Sequence, residues 1–263
     1  MAENQQTLKG KLILEGKIRL LTGMHIGGTK ETLKIGGTDN PVIKDKFDNV
    51  LIPGSSLKGK IRALLEKVYG TYKRDENNKK EKKPKNDGKP CECGLCEICK
   101  LFGPHQSNNI EDPVRVIVRD AYLEPDEGKN HYDYLEIKVE NTIDRIKGTT
   151  VKGGVRNTER VVAGSKFKFE IVFNIYNEND IELIKKFIEG MKLLEDDYLG
   201  GSGSRGYGKI KFEEMKWINK PREYYEGKET IKDSKVVNDL DELLNELLDN
   251  KDKDNMIWTY SKQ

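Results

Sequence analysis

Four cysteines lie within nine residues, as Cys91-Glu-Cys93-Gly-Leu-Cys96-Glu-Ile-Cys99, and the chain has no others. Four soft thiolates in tetrahedral array are what a structural Zn²⁺ prefers, and four ligands leave no position open for catalysis. The competing uses of such a cluster are disulfides, which imply an oxidising compartment, and an iron–sulfur centre. His105 lies six residues further on and is a candidate to replace one cysteine. A second chemical segment is Gly200-Gly-Ser-Gly-Ser-Arg-Gly-Tyr-Gly208, with five glycines in nine residues, at 200, 201, 203, 206 and 208, and with Arg205 and Tyr207 among them. Glycine lets backbone N–H groups approach an anion, Arg205 offers a phosphate fork, and Tyr207 is a stacking candidate. The bland alternative is a flexible loop. No Gly-Lys-Ser/Thr follows, so it is not a nucleotide-binding P-loop.

A third segment, Pro53-Gly-Ser-Ser-Leu-Lys-Gly-Lys-Ile-Arg62, opens a predicted helix. Ser55 and Ser56 are candidate N-caps, and the free N–H groups there favour phosphate. Lys58 and Arg62 are four apart and share a face away from the apolar stripe. The alternative is a capped, solvated helix. His25, in Thr22-Gly-Met-His-Ile-Gly-Gly28, either contacts phosphate or caps a turn. Asp39, before Asn-Pro and after two glycines, reads locally as an Asx-turn residue. Ser/His/Asp, His-Glu-x-x-His and Rossmann patterns are absent from the sequence.

The elements that must position these residues follow from periodicity. Lys11–Leu21 alternates as a half-buried strand, and Leu57, Ile61, Leu64, Leu65 and Val68 recur at helical spacing. Residues 71–90 carry eight Lys/Arg and four Asp/Glu and read as an insertion closed by the cysteines. Residues 114–123 and 135–140 read as strands, 141–165 as a projecting hairpin or loop, and Phe167–Ile175 as the clearest strand. Ile181, Ile184, Ile188, Met191 and Leu194 mark a second helix. A last core strand passes through Ile210 and Phe212, and 236–248 forms an acidic amphipathic helix. Without insertions the order is close to βαββαβ, an α+β, ferredoxin-like (RRM-like) sheet with helices on one face.

Of the 263 residues 35% are hydrophobic and 35% charged, and the net charge is +2. Any nucleic-acid site must therefore come from local clustering of cations and not from bulk charge. The first residues lack an apolar signal region and no run approaches a membrane span, so a cytoplasmic protein with no membrane partner is expected.

Several motifs in one order resemble a known family. His25-Ile-Gly-Gly, Asp39-Asn-Pro-Val-Ile-Lys-Asp45, Ile52-Pro-Gly-Ser-Ser-Leu-Lys-Gly-Lys60, Glu140-Asn-Thr-Ile-Asp-Arg145 and Asp197-Tyr-Leu-Gly-Gly-Ser-Gly-Ser-Arg-Gly-Tyr-Gly-Lys209 are similar to the repeating backbone subunit of type III-A CRISPR interference (Csm) complexes, in the RAMP superfamily. The resemblance runs from about residue 8 to 215. It implies a palm (8–70 and 110–215), a zinc-bearing lid (71–109), a thumb hairpin (141–165) within the palm span, and a C-terminal extension (216–263). It implies a filament of copies along a CRISPR RNA (crRNA), with other Csm subunits, that cleaves complementary target RNA using Mg²⁺ or another divalent cation. Asp39 falls at the catalytic position, against its local reading. His25, Ser55, Ser56, Lys58, Arg62, Gly201, Gly203, Arg205 and Tyr207 fall where guide RNA is held, and Arg145, Arg156 and Arg160 on the thumb. Zn²⁺ falls on Cys91, Cys93, Cys96 and Cys99, with a histidine as an alternative fourth ligand. Asp45 and Glu140 are candidate assistants to cleavage. A structural crRNA-binding subunit without cleavage is the alternative function.

Overall fold

The structure, a computed structural model, describes residues 7–28, 40–70, 88–105 and 112–249. The alternating N-terminal segment forms β1 (Gly10–Leu20) at the centre of the main sheet. Leu12, Leu14, Ile18 and Leu20 point to one face and are buried there. The phenylalanine-rich segment is β7 (Lys166–Ile175), antiparallel to β1, and β8 (Ile210–Pro221) lies antiparallel along the other side of β1.

Outside β7 lie two short strands, β3 (Val116–Val118) and β4 (Ala121–Glu124), both antiparallel to it. The single strand expected over 114–123 is thus interrupted at Arg119 and Asp120. The break has a use, because the Asp120 carboxylate accepts the Gly54 N–H at 2.7 Å. β2 (Leu51–Ile52) pairs with β4, and β9 (Lys232–Asp233) closes the far edge against β8.

Two long helices, α1 (Gly54–Tyr69) and α3 (Asp180–Asp196), cover the apolar face. Each keeps its apolar residues at helical spacing, and Gly190 lets α3 approach Ile61 and Leu65 of α1 closely. Counting β3 and β4 as one, the core reads βαββαβ with spatial order second, third, first, fourth. That is the strand order the ferredoxin-like reading requires.

Two features depart from the expected layout. Residues 135–140 do not join the main sheet. They belong to β5 (Leu135–Ile143), which pairs with β6 (Thr150–Val161) as a separate two-stranded hairpin. Its alternating Ile137 and Val139 look like core positions in sequence yet are exposed. Second, β8 continues past residue 215 and carries Trp217 into the core. There the indole N–H donates to the Leu243 carbonyl of α5 (Leu240–Asp249), which packs against α3 and β8. Val236–Asp239, expected as the first turn of that helix, is not helical; Val237 bridges Met215 instead. Between α1 and β3, α2 (Glu97–Phe102) buries Ile98, Leu101 and Phe102, with Phe102 stacked on Phe187 at 5.8 Å. A short α4 (Arg222–Tyr225) follows β8. Among the described residues no helix is long and apolar enough to cross a membrane.

Candidate RNA interface and metal centre

The loop after β1 is sewn to three other segments by its backbone. The Met24 and Val161 amides exchange hydrogen bonds, and Ile43 N–H donates to the Ile26 carbonyl at 2.8 Å. Gly28 N–H donates to the Pro41 carbonyl. The glycine-rich loop joins the same place: Gly201 N–H donates to the His25 carbonyl at 2.8 Å and Gly208 N–H to the Gly23 carbonyl at 3.0 Å. Gly200 has φ +86°, and a Cβ there would lie 2.4 Å from the His25 oxygen. Only glycine permits that approach.

His25 is half-buried, and its Nδ1 lies 2.7 Å from the Glu159 carbonyl. Only a protonated Nδ1 can donate to that oxygen, so the ring is fixed and Nε2 faces away from this bond. Glu159, on β6, does more. Its N–H donates to the Asn40 carbonyl, and its carboxylate accepts Val42 N–H at 2.9 Å and Lys44 Nζ at 3.2 Å. Asn40 follows Asp39 in the chain and is thereby held beside His25 and the hairpin. Asp39 itself lies outside the described residues. Asp45 binds the Phe47 and Asn49 amides and the Asn49 side chain. The Asn49 side-chain bond, followed by these amides, holds its carboxyl below the usual range. Asp45 is thus committed to its own turn.

At the start of α1 the expected capping differs. The helix begins at Gly54, so Ser55 and Ser56 lie within its first turn and neither is the cap. The capping acceptor comes from Asp120, 66 residues away. Lys58 is half-buried; burial, and then the charge of Arg62, lower its pKa. Arg62, expected to contact RNA, is engaged within the chain. Its Nε donates to Glu66 at 2.8 Å and its terminal nitrogens to the Gly103 and Cys91 carbonyls at 2.8 and 2.7 Å. Its Nε is thus taken by α1 itself and its two terminal nitrogens by the two ends of the cysteine segment.

Tyr207, expected at the same surface, is also engaged within the chain. It is 1% exposed, so it has no face to offer a base. Its hydroxyl lies 2.9 Å from Glu140 of β5, and Lys138 and Arg160 sit over its ring. Arg160 also pairs with Glu136. Gly203 packs on the Tyr198 ring, where a Cβ would come within 2.0 Å, while Gly201 has room for one. What remains open is a groove of about 440 Å³ lined by Val139–Ile143, Arg145, Arg156 and Arg205. Three guanidiniums from the hairpin and the glycine loop therefore converge, permanently charged. Glu140, Glu159, Glu66 and Asp120 organise these contacts; no local pattern singled out the last three, because each acts on residues far away in the chain.

The cysteines gather as expected. Their four sulfurs lie within 4.8 Å of one another, without His105, whose N–H is bonded to the Cys91 carbonyl. Cys91 and Cys96 sulfurs are 3.8 Å apart and Cys93 and Cys99 3.9 Å. A tetrahedral zinc with Zn–S of about 2.3 Å has edges of about 3.8 Å. The Cys96 and Cys99 amides donate to the Cys93 and Cys96 sulfurs, each at 3.4 Å. Burial pushes the Cys91 thiol up to about 11 and Cys99 up as well, a cost that the charge of a bound dication would offset. The donor set thus fits a closed tetrahedral metal.

The RAMP superfamily model matches residues 17–211. The "CRISPR system Cms endoribonuclease Csm3" of Methanocaldococcus jannaschii is 71% identical over 252 residues, 96% of each chain. The protein of the same name from Streptococcus thermophilus is 43% identical over 213 residues, covering 78% of this chain and 89% of that one. A crystal structure of a Csm3–Csm4 subcomplex in the type III-A CRISPR-Cas interference complex contains a chain 53% identical, with a TM-score of 0.65. The match covers 96% of this chain and 98% of that one.

Proposed function

This chain belongs to the RAMP superfamily, and from that membership we propose how it works as an RNA-guided endoribonuclease, the backbone subunit of a type III-A CRISPR effector complex. The observation that carries the function is the 71% identity to a Csm3 endoribonuclease across 96% of both chains. Other Csm subunits are its partners, in keeping with the Csm3–Csm4 neighbour.

The residue roles are our reading. The βαββαβ core is the palm, the cysteine segment the lid, and the β5–β6 hairpin the thumb, which begins and ends earlier, at Leu135 and Val161, than the 141–165 segment the sequence suggests. Guide crRNA lies over His25, the start of α1 with Ser55, Ser56 and Lys58, and the glycine loop with Gly201, Gly203 and Arg205. Arg145 and Arg156 contact RNA from the thumb. Arg62, Tyr207 and Arg160 support this surface from below, because their polar groups are already paired. Zn²⁺ on Cys91, Cys93, Cys96 and Cys99 holds the lid. Copies of the chain form a filament along the guide.

Cleavage of the complementary target uses the 2′-hydroxyl as nucleophile. The 2′-oxygen bonds to phosphorus, the bond to the 5′-oxygen breaks, and a 2′,3′-cyclic phosphate and a 5′-hydroxyl result. The 2′-proton leaves to solvent and the 5′-oxygen takes one up. Asp39 would hold the divalent cation, Mg²⁺ or a similar ion, which would supply positive charge to the reacting phosphate, or would position the attacking sugar. An aspartate of ordinary pKa, about 3.9, is a poor base at neutral pH. The test is a guide-complementary RNA with one 2′-deoxynucleotide at a mapped cut. That cut alone should disappear. Persistence of the cut would refute 2′-attack, and no cuts in any target would leave a structural crRNA-binding subunit.

A further inference from the structure

One residue in the arginine groove does not belong to a simple phosphate site. Glu140 lies on β5 opposite Arg156 of β6, in the same wall as Arg145 and facing Arg205. A carboxylate here weakens attraction for a polyanion. It is nevertheless firmly held. One oxygen is 2.9 Å from the Tyr207 hydroxyl and the other 3.0 Å from Arg205. Lys138 lies 3.8 Å away. The Tyr207 bond, and then the charges of Arg205 and Lys138, keep its carboxyl below the usual range, so it is ionised at neutral pH.

An ionised carboxylate only accepts hydrogen bonds, at about four lone-pair positions. Tyr207 and Arg205 use two. A phosphodiester has no proton to donate, and neither does a deoxyribose within a strand. Ribose does, at its 2′-hydroxyl. We propose that Glu140 is a sugar-specificity residue: it accepts the 2′-hydroxyl of the guide strand whose phosphates Arg145, Arg156 and Arg205 bind. This rests on the reading of the groove as the guide-RNA surface. DNA placed there meets the same three cations but leaves Glu140 facing phosphates without a donor. RNA gains a hydrogen bond to a charged acceptor.

The test is the affinity of the full chain for one single-stranded sequence made as RNA, as DNA and as 2′-O-methyl RNA, at fixed salt. Wild type is compared with Glu140→Gln and Glu140→Ala. Wild type should prefer RNA and treat 2′-O-methyl RNA like DNA. Glu140→Gln, close in shape, should narrow the preference roughly tenfold, the scale of one charge-assisted hydrogen bond. Loss of the negative charge favours both polyanions alike, so the readout is the change in the RNA-to-DNA ratio, which loss of a merely electrostatic or structural contact leaves unmoved. Glu140→Ala should also lose RNA affinity. RNA and DNA affinities falling together in both variants would overturn the assignment, as would a preference that follows base identity and not the sugar. A chain that binds RNA with unchanged preference in both variants overturns this assignment alone. A chain that binds neither strand overturns the RNA-surface reading with it.

Discussion

Replacing Arg62 by alanine separates two roles that its sequence position leaves equally open. Its side chain is 14% exposed and makes three charge-assisted hydrogen bonds at 2.7–2.8 Å. Glu66, 7% exposed, also accepts the Cys91 N–H at 3.0 Å. The substitution leaves that carboxylate buried beside one amide and removes the donor from two carbonyls. Breaking a buried ion pair costs about 3–5 kcal/mol, and the slight exposure of Arg62 favours the lower end. A loss of about 3 kcal/mol is a roughly hundredfold fall in the ratio of folded to unfolded chain. Guanidinium unfolding would read it as a lower midpoint, and hydrogen exchange would show the loss of protection at 91–103. RNA affinity, measured where the variant is folded, should stay near wild type. Stability within ~0.5 kcal/mol of wild type, together with weaker RNA binding and a shallower salt dependence, would refute this reasoning and restore Arg62 to the RNA surface.

Removing metal with a chelator should release the 91–96 loop and leave the sheet intact, because α2 is anchored by Ile98, Leu101 and Phe102 in the core. Hydrogen exchange confined to that loop is the expected result; cooperative unfolding of the whole chain contradicts it. The Glu140 link between hairpin and glycine loop should depend on acid. Its folded carboxyl is held below the ordinary 4.5, so its stabilisation is present above that value and is lost as pH falls through the lower one. The Tm difference between wild type and Glu140→Gln should therefore be constant above about pH 5 and vanish in acid. A difference that grows in acid would reverse the sign.

The main sheet and both long helices were legible because their partners impose a period. Leu57, Ile61, Leu64 and Leu65 recur every three or four residues since one helix face meets the sheet. Ile137 and Val139 alternate just as well, yet they stand on a hairpin away from the core, and alternation alone does not say what covers a strand. The site was legible as a set of segments but not in its division of labour. Arg62 finds Cys91 and Gly103 across 29 and 41 residues, and Tyr207 finds Glu140 across 67. A cation or an aromatic in a glycine-rich context looks available for RNA until the fold supplies such a partner. The serines at the start of α1 misled for the same reason, since their capping task is done by Asp120. The clustering of the cysteines was readable because all four candidate ligands lie within nine residues.

The most direct measurement is cleavage of guide-complementary RNA by the assembled complex, with wild type and Asp39→Ala compared in the presence and absence of Mg²⁺ and target binding measured alongside. The account predicts regularly spaced cuts that require the cation and disappear in the variant while binding persists. Unchanged cuts in the variant would contradict it and place the catalytic group elsewhere.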